Sequence, residues 1–244
     1  MKLFEHRDFE QAIIRATEHF RGRGLREALI EKDYYVTEAL RIIERAVGPK
    51  VIFKGGTSLS KGWNLIQRFS EDIDIFLDPT AFDPPLGKKA IDREESGTSL
   101  GADDEGAFEM RLLHFRRTFV EKMFAIHAKV EAFKEEGREI GGYARHYYDL
   151  FCLAERPEVV AMLRSAEYGA IKDDYDRISL EHFEKSYVPP PDMSFAKSDA
   201  LFPAGQLRDI IGKIFAEQCN LLYFGHTPSW EEVEYRLNGI RDLL

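Results

Sequence analysis

A short stretch, residues 53–75, constrains the fold of this 244-residue chain more than any other part. It reads Phe53-Lys-Gly-Gly-Thr-Ser-Leu-Ser-Lys61 and, after a gap, Ser70-Glu-Asp-Ile-Asp-Ile75. The β-rich run just before it, Val51-Ile52-Phe53, predicts a strand that ends at two glycines. Residues 59–65 then indicate a short helix, and the alternation of apolar with other residues over 72–77 predicts a second strand.

The glycines in this stretch predict an anion-binding turn. Gly55 and Gly56 have no Cβ, so their backbone N–H groups can approach an anion closely. The turn leads into a helix, and a helix N-terminus favours phosphate. Two hydroxyl side chains that can donate hydrogen bonds and one cationic side chain follow within one helical turn. The residues predicted to bind a nucleotide are Gly55, Gly56, Thr57, Ser58 and Lys61.

The acidic residues in the same stretch predict a metal site. Asp72 and Asp74 are two residues apart on the predicted strand, and residues i and i+2 of a strand point to one face. Two converging carboxylates suit Mg²⁺, which takes one or two carboxylates plus substrate phosphates. Such an ion can stabilise the attacking and leaving oxygens of phosphoryl transfer.

Each half of this pattern has a simpler interpretation when it is taken alone. Two glycines before a helix are often only a tight turn, and Asp-x-Asp on a strand is often a solvated face. Their combination within about 25 residues favours a site. The zinc-site motifs HExxH and CxxC do not occur in the sequence, and the glycine spacing is not that of a Walker A loop.

The rest of the chain predicts an α+β fold. Apolar periodicity indicates helices over 7–21, 26–47, 110–133, 143–154, 158–167 and 206–222, with a last helix opened by the capping box Ser229-Trp-Glu-Glu232. We therefore expect a small mixed sheet with flanking helices in a first lobe, residues 1–115. A mainly helical lobe, residues 116–244, would follow and complete an active-site cleft.

Charge and composition bound the class of protein. The net charge is −9, and residues 78–109 contain nine acidic and three basic residues together with three prolines and four glycines. This segment predicts a mobile acidic loop. The two cysteines exclude a disulfide scaffold, no apolar run is long enough to span a membrane, and the charged start predicts no signal peptide. We expect a cytoplasmic protein.

The residues also carry a resemblance to a known family. Gly-Gly-Thr-Ser, a short helix and Asp-x-Asp resemble the signature of nucleotidyltransferases related to DNA polymerase β. More closely, the chain resembles the AbiEii nucleotidyltransferase-like toxins of abortive-infection and type IV toxin–antitoxin systems. The likeness continues, in the same order, through the segments 31–40, 117–127, 144–150 and 228–233. The second of these segments contains Lys122, and the third contains Asp149.

The resemblance implies roles for particular residues. Asp72 and Asp74 would hold the metal, Lys122 would contact nucleotide phosphate, and Asp149 would be a further catalytic acid that completes the carboxylate set or acts as base. From the sequence alone, Lys122 can also be a surface lysine. Asp149 is then either paired or functional, and Arg145 and His146 are its candidate partners or contact substrate.

The implied activity is Mg²⁺-dependent transfer of a nucleoside monophosphate from an NTP to RNA, with tRNA as the first candidate acceptor. A cognate antitoxin is the implied partner. Two alternatives remain open: a non-catalytic nucleotide-binding or partner-binding module on the same fold, and a protein nucleotidylyltransferase. An RNA surface would use basic residues and two stacking tyrosines: Arg111, Arg116, Arg117, Lys122, Arg145, Tyr147 and Tyr148.

Overall fold

The computed structural model describes residues 2–23, 25–70, 72–77, 108–224 and 227–244. The chain divides into two compact units, residues 1–113 and 114–244. Most of the acidic segment predicted over 78–109 lies outside the described residues, so its predicted mobility stays a prediction. Among the described residues, no helix is long and apolar enough to cross a membrane.

Two helices open the first unit. Helix α1 spans Phe9–His19 and helix α2 spans Glu27–Val47, close to the predicted 7–21 and 26–47. Gly48 ends α2 with φ +53°, a conformation that glycine adopts without steric penalty. Inside this unit, the Glu38 carboxylate of α2 is buried and pairs with Lys2 at 2.6 Å and with Arg41.

A three-stranded mixed sheet forms the centre of the first unit. Strand β1 (Val51–Lys54) lies between β2 (Asp74–Leu77) and β3 (Arg111–Leu112). β2 is antiparallel to β1, with Val51 opposite Leu77 and Lys54 opposite Asp74. β3 runs parallel to β1. This arrangement confirms the predicted small mixed sheet with flanking helices.

The chain between β1 and β2 is helical from its first glycine. Helix α3 is one turn long, Gly55–Thr57, and continues as a π-helical turn over Ser58–Gly62. The short helix therefore starts and ends a few residues before the predicted 59–65. The second strand begins at Asp74, so the prediction that Asp72 lies on this strand is wrong.

Helices make up the second unit. They are α4 (Phe115–Glu136), α5 (Arg145–Ala154), α6 (Pro157–Leu163), α7 (Ala166–Phe183), α8 (Gly205–Leu222) and α9 (Trp230–Asn238). α5 is central, because it packs against α4, α8 and α9. The predicted capping box is present, since Ser229 and Glu232 each bond the other's backbone N–H.

A buried histidine fastens the segment before α8 to helix α4. His127 Nε2 lies 3.3 Å from the Pro189 carbonyl oxygen, and Nδ1 lies 2.8 Å from Ser198 Oγ. A carbonyl only accepts, so Nε2 carries the proton and Nδ1 accepts from the serine hydroxyl. Burial lowers the pKa of His127 below its usual value, which keeps the ring neutral.

Candidate active site

Gly55 is in contact with the carboxylate of Asp74. Its φ is +72°, in the left-handed region, and a Cβ built on it would overlap the Asp74 carboxylate, 2.6 Å from the carboxyl carbon. Glycine is therefore required twice, once by the backbone and once by the neighbouring side chain. The contact brings the predicted phosphate-binding turn and the predicted metal ligand together.

Gly56 is in contact with a buried arginine. A Cβ at this position would lie 2.6 Å from Arg68 Nη2 and 3.1 Å from Ser70 Oγ. Arg68 is 1% exposed, and its Nη1 donates to the Phe69 carbonyl oxygen at 2.8 Å. Arg68 is not among the site residues predicted above, and its burial against Gly56 makes it part of the turn rather than of the surface. Its position a few residues before Asp-x-Asp was the available signal.

The hydroxyls of the turn point into the protein. Thr57 Oγ1 donates to the carbonyl oxygen of Asp72 at 2.6 Å, and Ser58 Oγ donates to that of Gly55 at 2.9 Å. Both residues are buried. In this structure their side chains fix the turn and join it to the chain before β2. Direct nucleotide binding through either hydroxyl would require it to exchange its partner.

Lys61 contacts helix α2. Its ammonium lies 2.7 Å from Asp33 Oδ1 and 2.9 Å from Thr37 Oγ1. The short π-helical turn thus carries a cation that fastens it to the flanking helix. A role for Lys61 in nucleotide binding would likewise require the side chain to leave these partners.

Asp72 and Asp74 are exposed residues on either side of the half-buried Ile73. Asp74 lies opposite Lys54 in the register of β1 and β2, and Asp72 is held through its carbonyl by Thr57. Within the described ranges, no group of three or more His, Cys, Asp or Glu side chains could hold a metal ion. Two carboxylates still fit Mg²⁺, because substrate phosphates and water complete its coordination.

Lys122 and Asp149 form a buried ion pair in the second unit. Their side chains are 5% and 0% exposed, and Lys122 Nζ lies 2.6 Å from Asp149 Oδ2. Lys122 comes from α4 and Asp149 from α5, the two helices that share the centre of this unit. The interpretation of Lys122 as a surface lysine is therefore wrong. The predicted approach of this pair to Asp72 and Asp74 stays a prediction.

The predicted RNA-contacting residues are engaged within the protein. Arg117 pairs with Asp174 at 2.7 Å and with Glu121 at 3.1 Å, and Arg111 donates to the Pro49 carbonyl oxygen. The predicted stacking residues Tyr147 and Tyr148 are 0% and 3% exposed. The expectation that either offers a ring face to a base is therefore wrong, because both rings belong to the core.

Neither cysteine is suited to nucleophilic chemistry. Burial raises the pKa of Cys152 to about 11 and that of Cys219 to about 12, so both thiols are protonated at neutral pH.

Fold and site together define the class of protein. A strand that ends in a glycine turn, a one-turn helix and a neighbouring strand that begins at the second aspartate of Asp-x-Asp form the arrangement that the resemblance to nucleotidyltransferases implies. The family model described as nucleotidyl transferase AbiEii toxin, type IV toxin–antitoxin system, matches residues 39–99 and 94–218.

The chain belongs to this AbiEii family, and the match contains Gly55, Asp72, Asp74, Lys122 and Asp149. It is thus a nucleotidyltransferase toxin whose type of system implies an antitoxin partner and a nucleotide substrate. No curated protein and no solved structure matches the chain.

Proposed function

We propose that this toxin transfers a nucleoside monophosphate from an NTP to a hydroxyl of RNA, with tRNA as the first candidate acceptor, in a reaction that requires Mg²⁺. The contact between Gly55 and the Asp74 carboxylate is the observation that carries the proposal. It sets a backbone turn suited to phosphate beside a carboxylate suited to a divalent cation, which is the pairing that a metal–triphosphate substrate needs.

Asp72 and Asp74 would hold the Mg²⁺ ion, which when bound neutralises charge on the triphosphate and stabilises the attacking and leaving oxygens. Within the protein, Thr57 holds the backbone of Asp72, while Gly55 admits the carboxylate of Asp74. The two carboxylates are therefore positioned by the same turn. The Gly55–Gly56 backbone would in turn receive the phosphates.

Lys122 and Asp149 would act in the same reaction. The acceptor hydroxyl attacks the α-phosphorus, the bond between that phosphorus and the bridging oxygen breaks, and pyrophosphate leaves with the bonding electrons. A carboxylate such as Asp149 can receive the hydroxyl proton, and Lys122 can stabilise negative charge on phosphate. The two groups lie 2.6 Å apart and are buried, so each would exchange this partner for substrate in order to act.

The test of the proposal is label transfer from each NTP in turn. The purified protein is incubated with Mg²⁺, total bacterial RNA and one labelled NTP, and the RNA and protein fractions are separated. We expect label in RNA from at least one NTP and loss of that label with EDTA. Asp74→Asn should abolish transfer, whereas Asp209→Asn, at an exposed position on α8, should leave transfer unchanged.

Other distributions of label would contradict the proposal. Label in protein would identify a protein nucleotidylyltransferase. Absence of label together with tight NTP binding would identify a non-catalytic module. Equal transfer by wild type and Asp74→Asn would remove the metal assignment while leaving the acceptor assignment intact.

A further inference from the structure

A third side chain accompanies the buried ion pair of the second unit. His146 lies one turn before Asp149 on α5, and its Nδ1 is 3.2 Å from Lys122 Nζ. The same Nδ1 is 3.7 Å from Asp149 Oδ2. The His146 side chain is only 16% exposed, and the Tyr143 ring packs edge-on against it with centroids 5.5 Å apart. The imidazole is therefore fixed beside the lysine.

The chemistry of these groups settles which atom donates. An ammonium group has three N–H donors and no acceptor, so Nδ1 of His146 must accept from Lys122. An accepting Nδ1 has no proton, and the neutral ring then carries its proton on Nε2. Asp149 neutralises the charge of the Lys122 ammonium, whereas His146 orients the ammonium without adding charge.

We infer that His146 is a positioning residue for Lys122, through the acceptor atom Nδ1. A lysine side chain has four rotatable bonds, and a single carboxylate leaves its ammonium free to pivot. Two acceptors one turn apart on α5, His146 Nδ1 and Asp149 Oδ2, fix the ammonium at one point. The inference rests on the proposed function, in which Lys122 contacts nucleotide phosphate.

Two amide substitutions distinguish this role from simple packing. His146→Asn places an amide oxygen near the position of Nδ1, whereas His146→Gln extends its amide to the position of Nε2. His146→Leu fills space without an acceptor. If Nδ1 is the working atom, Asn should retain kcat/KM for the NTP within about threefold. Gln and Leu should each lower it by about tenfold to a hundredfold, the effect of one hydrogen bond to a charged group.

The control is an exposed histidine of the same unit. His182 is exposed at the end of α7, and His182→Leu should leave transfer unchanged. Equal activity of all three His146 variants and wild type would overturn the inference. So would an equal loss in all three, because packing alone would then explain the effect.

A spectroscopic measurement tests the hydrogen bond between Lys122 and His146 independently of catalytic activity. Imidazole ¹⁵N spectra of the full chain at pH 8 should show His146 with a protonated Nε2 and an unprotonated Nδ1. The Nδ1 resonance should move in Lys122→Met. A protonated Nδ1 would overturn the inference. Failure of wild type to transfer any nucleotide would instead defeat the proposed function, and the spectrum would still report on the bond.

Discussion

Substitution of either Lys122 or Asp149 alone should strongly lower the stability of the second unit. The side chains are 5% and 0% exposed and 2.6 Å apart, so removal of one leaves the other charge buried without its counter-ion. Such a loss costs about 3–5 kcal/mol, whereas replacement of both partners by apolar groups is close to neutral. Lys122→Met and Asp149→Leu preserve much of the shape of each side chain.

The magnitude can be measured as a double-mutant cycle. Unfolding in urea at pH 8 should show that each single variant loses about 3–5 kcal/mol. This loss corresponds to roughly 6–20 °C in Tm. The double variant should recover to within about 1 kcal/mol of wild type, so the two substitutions couple strongly.

An exposed pair of the same unit provides the control cycle. Lys134 and Asp199 lie 2.9 Å apart, but their side chains are 37% and 62% exposed. Coupling in this pair should stay below about 1 kcal/mol. A loss of less than about 1 kcal/mol in Lys122→Met, or a double variant as unstable as the sum of the single variants, would refute the reasoning from burial.

Two further predictions concern the glycine turn and the buried histidine. Gly55→Ala and Gly137→Ala both place a Cβ on a left-handed residue, with φ +72° and +71°, but only the Cβ at Gly55 meets Asp74. Both substitutions should lower the free energy of unfolding in urea by roughly 1–2 kcal/mol. Only Gly55→Ala should also lower nucleotide transfer. Equal activity of the two variants would contradict a functional role for the contact between Gly55 and Asp74. The folded pKa of His127 is depressed, so its stabilising contribution is complete above about pH 6.5 and is lost as pH falls below that value. The free energy of unfolding should therefore fall between pH 7 and 5 more steeply in wild type than in His127→Gln, and parallel profiles would contradict this.

Local signals predicted the first helices and the glycine turn well. Helix α2 ends at Gly48 because glycine there adopts a positive φ, and the dipeptide Gly48-Pro49 shows this in the sequence. The capping box at Ser229 is equally local. In each of these cases the determining contacts lie within a few residues, which is the range that periodicity and capping rules report.

Features that depend on distant contacts were predicted poorly. The residues 111–112 lie inside a predicted helix, yet they form β3, because strand β1 lies beside them in the fold. The helix predicted over 158–167 corresponds to α6, Pro157–Leu163, and the next helix, α7, was missed. Only Tyr168 and Ser179 along α7 are buried. A helix with so little buried surface gives a weak periodic signal.

The candidate site divides in the same way. The sequence identified the residue types of the turn and of Asp-x-Asp, because they lie within one short segment. It did not show that Lys61 would pair with Asp33, or that Asp149 would pair with Lys122. These partners are far apart in sequence, and only the packing of helices brings them into contact.

The register of the sheet has a consequence for the length of the chain between its strands. β2 ends at Leu77 opposite Val51, and β3 begins at Arg111 opposite Ile52, so both points lie beside the N-terminal end of β1, on opposite sides of it. They are two strands apart, about 10 Å at about 4.8 Å per strand spacing. Three or four residues, at roughly 3.3–3.6 Å each, would bridge that gap. Because each doubling of a flexible connection adds only about 0.6 kcal/mol of closure entropy, the sheet itself tolerates large changes in the length of this connection.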